Sequence, residues 1–205
     1  MKLKDPTIPK REIARELARR FSTMSHEELD VLDSILVPMK FKKGEKILAE
    51  GNVCEYIYYL YEGLIRQYYY KNGKEMTSHL GVDGNVFMGV ESLFRETPSM
   101  ETIEALEPSY VYALPKRHLE IVALHNQNIQ ILYRKILEEA LIESQRHADL
   151  VRFETAQDRY RRICKQMPKI VLRAPLVFIA SYLQMTPETL SRVRTSALLE
   201  DRNRD

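Results

Sequence analysis

Between Met39 and Leu114 the chain runs in short strand-like segments that break at Lys43-Gly44, Glu50-Gly51, Glu62-Gly63, Asn72-Gly73 and Asp83-Gly84. A period of two with a glycine at each break does not suit a helix; it calls for strands that turn back on one another. The clearest turn lies in YYYK-NG-KEM, because Asn-Gly accepts the two positive φ angles of a tight hairpin loop. Seven of the twelve tyrosines crowd into residues 56–70, and tyrosine is a favoured strand residue. The segment reads as an antiparallel sandwich or barrel, closed by a short helix over Lys116–Leu124.

Outside this segment the period lengthens. Residues 10–37 hold two predicted helices; Ser25 and Glu28 form a capping box for the second, and Pro38 ends it. A long helix is predicted from about Asn126 to Phe153, with no Gly or Pro inside it. Ile129, Leu132, Ile136, Ala140, Glu143, His147 and Leu150 recur along it at three- and four-residue steps, the seam a two-stranded coiled coil needs. A homodimer joined through residues 129–150 is expected, tight at the N-terminal end and adjustable through the polar middle. A seam packed only on its own barrel is the alternative. A basic helix, Ala156 to Met167, follows and breaks near Pro168.

Residues 175–198 read PLVFIASYLQMTPETLSRVRTSAL. Leu176, Ile179, Ala180 and Leu183 mark a helix with one buried face. Thr186 sits where a cap is wanted, Pro187 opens a second helix, and Glu188 adds negative charge to its first turn. Leu190, Val193, Ala197 and Leu198 fall on the inner side of that helix; Thr189, Ser191, Arg192, Thr195 and Ser196 populate the outer side. Two such helices joined by a three-residue turn make a helix-turn-helix, whose second member fits the major groove of DNA. Charge follows the same division. From Arg152 onward 11 Lys+Arg stand against 6 Asp+Glu, a net of +5 that leaves −3 on the rest.

Composition removes other classes. No apolar run approaches the ~20 residues of a membrane span, and the N-terminal MKLKDPTIPKREIARELARRF has no apolar signal core, so a cytoplasmic protein is expected. Cys54 and Cys164 match no metal or redox spacing. The five histidines (26, 79, 118, 125 and 147) do not form a cupin metal set, and there is no nucleophile elbow, P-loop or dinucleotide fingerprint. No catalytic residue, metal or cofactor is expected, and no enzyme.

Three stretches carry a family likeness: GNVCEYIYYLYEGLIR, FMGVESLF and IASYLQMTPETLSRVR. With the order of elements, over about residues 25–198, they resemble the Crp/Fnr bacterial transcription regulators, in their barrel hairpin, phosphate-binding turn and helix-turn-helix respectively. The resemblance implies an α+β protein. An antiparallel jelly-roll barrel of the cyclic-nucleotide-binding kind would occupy residues 1–125, a long dimerisation helix 126–153, and an all-α helix-turn-helix domain 154–205. It also implies double-stranded DNA, a second copy and RNA polymerase as partners, and no membrane.

Several positions depart from the cyclic-AMP binders. Phe87-Met88-Gly89 is kept, but Val90 stands where they have glutamate, with Glu91 one place late. On a strand, that slip would turn the carboxylate to the other face. Ser99 and Met100 align with their phosphate-binding Arg-Ser pair, beside the acidic Glu101 and Glu104. A buried phosphate without its cation is costly, so the resemblance implies the barrel without the cyclic nucleotide. Gly89, Val90, Glu91, Ser99, Met100 and Ser144 would line whatever effector pocket exists, Ser144 at its roof.

His79, the one barrel histidine of haem-binding type, reads as an ordinary side chain, and two cysteines are too few for a cluster. The resemblance assigns DNA contacts to Thr186, Glu188, Thr189, Ser191, Arg192 and Arg194. Glu188 would accept from cytosine N4, Arg192 would bond guanine, and Arg194 a phosphate. Gln184 replaces the usual turn glycine and Pro187 a base-reading arginine. With the sequence ending at Asp205, a wingless variant is expected. Arg159, Arg161, Arg162 and Lys165 either compensate or form a solvated face. A ligand-binding or protein-interaction module of the same fold that never touches DNA is the competing reading.

Overall fold

The computed structural model of the chain describes residues 9–202, with side chains through Ser196. Ala197 and Leu198, expected on the inner face of the last helix, lie outside the described side chains. Two helices, α1 (Lys10–Phe21) and α2 (His26–Ile35), precede eight strands. These are β1 (Val37–Phe41), β2 (Lys46–Leu48), β3 (Tyr56–Glu62), β4 (Leu64–Lys71), β5 (Lys74–Val82), β6 (Val86–Phe87), β7 (Thr102–Ala105) and β8 (Ser109–Pro115). A short α3 (Val90–Arg95) separates β6 from β7. Then come α4 (Lys116–His125), α5 (Gln127–Phe153), α6 (Ala156–Gln166), α7 (Pro168–Arg173), α8 (Leu176–Tyr182) and α9 (Pro187–Arg202).

The strands form two antiparallel four-stranded sheets, ordered β1-β8-β3-β6 and β2-β7-β4-β5. Ile57, Leu60 and Val111 of one sheet share a core with Leu48, Ile65 and Ile103 of the other, the interdigitation expected between two packed sheets. Asn72 and Gly73 turn β4 into β5 at φ 52° and 73°, as the type I′ loop requires. Gly63, at φ 140° between β3 and β4, is tighter still: a Cβ there would stand 2.2 Å from Ser109 Oγ. The Ser25–Glu28 capping box is present in both directions, and Pro38 lies in edge strand β1, where a missing N–H is tolerated.

The long helix corrects the dimer expectation in one respect. Ile129, Leu132 and Ile136 are buried in the chain's own core against the barrel and α1, and Leu150 lies in a second core beneath α8 and α9. They face inward because the barrel leaves an apolar flank that this stripe covers. These residues cannot also form an intermolecular seam. The large apolar side chains left outside are Leu141 and Ile142, 71% and 48% exposed, and Phe153 at the helix end.

The second core joins the barrel to the C-terminal helices, with Leu64 and Leu80 meeting Ile163, Ile170, Ile179, Leu183 and Leu190. Helix α7, unforeseen in the sequence, opens with Pro168 at its first position. It carries Arg173 to the end of the sheet. There the guanidinium donates to Asp83 through both nitrogens, at 2.7 and 3.1 Å, to Gly63 O at 2.8 Å, and to Glu107. Burial alone would raise the Asp83 carboxyl, but bonds from Arg173, the Gly63 N–H and Lys169 outweigh it and hold it at about 2.

A folded value below the unfolded one stabilises above roughly pH 4 and is lost as pH falls toward 2. Asp83 should therefore contribute about 1–2 kcal/mol at neutral pH, discounted for partial exposure. Thermal unfolding of Asp83→Asn against the wild type should differ by this amount at pH 7 and converge by pH 2. An equal difference at both pH values would contradict the assignment.

Candidate functional site

The helix-turn-helix is built as its residues dictate. Tyr182 ends α8, and the connection runs through Leu183–Thr186, one residue longer than expected, with Gln184 in the left-handed region at φ 51°. The Thr186 hydroxyl accepts the Thr189 N–H at 3.2 Å and caps α9. Thr186→Ala should cost about 1 kcal/mol of stability, read by denaturant unfolding; an unchanged midpoint would mean that the cap is not made. Leu190 is buried against α6 and α8, so the opposite side of α9 turns outward. Glu188, Ser191, Arg192, Arg194, Thr195 and Ser196 are exposed, and Thr189 is half-buried.

The electrostatics of this face suit recognition. The backbone N–H at the start of α9, the Thr186 hydroxyl and the nearby Arg192 hold the Glu188 carboxyl below its usual range. It is therefore an acceptor at neutral pH. Arg192 comes within 3.4 Å of the Thr189 hydroxyl and presents its guanidinium beside Glu188. Arg194 points along another flank, where its charge is felt at Tyr160 of α6.

Two of the four basic residues on α6 have structural duties. Arg159 donates to Glu154 O at 3.0 Å and to Leu183 O at 2.8 Å, bracing the turn, and Arg162 pairs with Glu154. Arg161 sits 3.7 Å from Asp158, and Lys165 is exposed.

A cavity of about 270 Å³ opens between the β4–β5 sheet, α5 and α8. Of the six expected effector-pocket residues it brings together Val90 and Ser144. Glu91 is solvent-exposed and pairs with Arg95 at 3.6 Å. Glu91 belongs to helix α3 rather than a strand, so the helical turn sets its direction, onto an adjoining open recess that it shares with Arg95, Gln67, Val90 and Glu101. Gly89 caps α3 tightly against the fold: a Cβ there would lie 2.9 Å from Leu48 Cδ2. Ser99 is buried in its own turn, its hydroxyl bonded to the Glu101 backbone, and Met100 points to solvent at 73% exposure.

Phe87, Met88 and Glu101, expected beside the pocket, line it too; the rest of the polar lining was not foreseen, with Gln67 on β4, His79 on β5, Glu143 and His147 on α5, and Tyr182 on α8. The signal was present in Ala140, Glu143 and His147, whose spacing placed them on one face; that face lines a cavity. His147 Nε2 lies 3.0 Å from Tyr182 O, and the two rings stack at 4.3 Å. Alongside, Thr77 N–H donates to Ser181 Oγ at 2.8 Å. The buried Arg66 donates to Thr77, Glu75 and Glu104, and its guanidinium lies 3.9 Å from the Phe178 ring centroid. Helix α8 thus rests on β5 and closes one end of the cavity.

Residues 38–126 match the family described as cyclic nucleotide-binding domain. Among solved structures, FixK2 from Bradyrhizobium japonicum is 21% identical, over 82% of this chain and 86% of its own, with a TM-score of 0.66. A CRP-family transcriptional regulator from Thermus thermophilus is 20% identical over 80% and 85%, with a TM-score of 0.62. The catabolite activator protein of the same organism is 22% identical over 90% and 87%, at 0.54.

Proposed function

With residues 38–126 belonging to the cyclic nucleotide-binding domain family, in a chain that has the fold of the Crp/Fnr transcription regulators, we propose that the protein is a sequence-specific DNA-binding transcription regulator acting as a homodimer. The observation that carries this reading is the outer face of α9. Glu188, Ser191 and Arg192 are exposed on a helix whose inner residue Leu190 is buried against α6 and α8. A helix held in this way can enter a major groove without unfolding its support. Glu188 reads a cytosine amino group, Arg192 a guanine edge, and Thr186, Thr189, Ser191 and Arg194 position the helix on the backbone.

Two copies are needed to read two half-sites about one helical turn apart. The exposed Leu141 and Ile142 on α5 offer the apolar contact between them, in place of the inward seam. Contact with RNA polymerase and action in the cytoplasm follow the same family reading. Catalysis has no part in it.

The cavity is the place for an effector, and its lining is unsuited to cyclic AMP. It contains Glu101 and Glu143 and neither Lys nor Arg, so a phosphate would be desolvated against like charge. An effector acts by biasing how α8 and α5 are held, and so the population of DNA-ready dimers.

Affinity for a selected duplex should fall steeply and log-linearly with salt, as phosphate contacts release counterions. Anisotropy titrations of the full chain against the selected and a scrambled duplex test this. Equal affinity for both at physiological salt would reject the proposal.

A further inference from the structure

The lining of the cavity is uneven in charge. Among the described residues that line it, two are carboxylates and none is a Lys or Arg. Glu101 receives one N–H from Gln67, while Glu143 makes no hydrogen bond or ion pair among the described residues. His79 Nε2 is buried without a partner, and burial pushes that imidazole down, toward its neutral form. With that ring neutral, the groups left to meet a ligand are dominated by negative charge. Phe87, Met88, Val90 and Ala140 supply an apolar floor. At about 270 Å³ the space lies just under the roughly 300–1,000 Å³ usual for ligand pockets, which limits the occupant to a small molecule.

We infer that this cavity binds a small protonated amine, an ammonium group on a short hydrocarbon body, held by Glu101 and Glu143 beside the Tyr182 ring. An ammonium donates to carboxylates and keeps favourable contact with an aromatic face. Among the described residues no group of three or more His, Cys, Asp or Glu is close enough to hold a metal ion, which favours an organic cation. Tyr182 belongs to α8, and His147 ties it to α5. The amine therefore touches the DNA-binding unit of its own chain and holds it on the barrel. That consequence rests on the regulator proposed above; the binding itself does not.

Calorimetry on the full chain without DNA tests the inference, using putrescine, n-butylamine, the neutral isostere butane-1,4-diol, and cyclic AMP. The two amines should bind saturably, and the diol and cyclic AMP should not. Glu143→Gln, at an exposed helical position, should keep the wild-type circular dichroism and weaken both amines by about tenfold or more, the effect of losing one charge-assisted hydrogen bond. Saturable binding of cyclic AMP or the diol, amine binding indifferent to Glu143→Gln, or no saturable amine binding would each overturn it. Arg192→Ala should bind amines as the wild type does. A wild-type chain that binds amines but no specific DNA would reject the regulator reading and leave the amine site standing.

Discussion

Arg192→Ala is expected to lose about 1–3 kcal/mol of affinity for its selected DNA site per recognition helix, and to relax specificity at one base position. The reason is local. Arg192 is exposed, and its one described hydrogen bond is the long contact to Thr189, so removing it disturbs neither the Leu190 core nor the Thr186 cap. What disappears is a guanidinium whose two parallel donors match guanine O6 and N7. Lys165→Ala provides the contrast. That side chain is exposed on α6, and its loss should weaken all sequences alike while lowering the salt slope by about one. Anisotropy titrations with single-base variants of the site separate the two. A uniform loss for Arg192→Ala would make it a phosphate contact, and no loss would favour a module that never touches DNA.

The second large effect divides the two faces of α5. Leu132→Ala should destabilise the chain by about 2–5 kcal/mol, the cost of removing a fully buried leucine, because Leu132 packs in the chain's own core. Leu141→Asp should leave unfolding of the isolated chain within about 0.5 kcal/mol, as exposed substitutions do, and dissociate the dimer by placing a charge in an apolar contact. Denaturant unfolding at low concentration reads the first, and sedimentation velocity the second. A dimer that survives Leu141→Asp but dissociates with Leu132→Ala, without loss of chain stability, would restore the inward stripe as the seam.

That contrast also marks what can be read from a linear sequence. The period of α5 correctly identified a buried stripe, yet periodicity does not say whether the burying partner is the same chain or another. Strand breaks at Asn72-Gly73 and Glu62-Gly63, the Ser25–Glu28 box and the Thr186 cap were legible because each depends on neighbours within a few residues. The cavity was harder to foresee because its walls come from β4, β5, α5 and α8, joined only by tertiary packing. Val90 and Ser144 were found through family likeness. In sequence Glu143 and His147 read as the polar middle of a zipper, because what lies opposite them is set only by the fold. Arg173 gave no signal at all, since its partners Asp83, Gly63 and Glu107 are distant in sequence.

Selection of bound duplexes from random DNA by the full chain, followed by footprinting of the winners, tests the central claim most directly. The expected result is one near-palindromic motif whose half-sites lie about one helical turn apart, with Arg192→Ala losing selectivity at a guanine in each half. A pool that shows no enrichment over random sequence, or a motif unchanged by Arg192→Ala and Glu188→Ala, would contradict it.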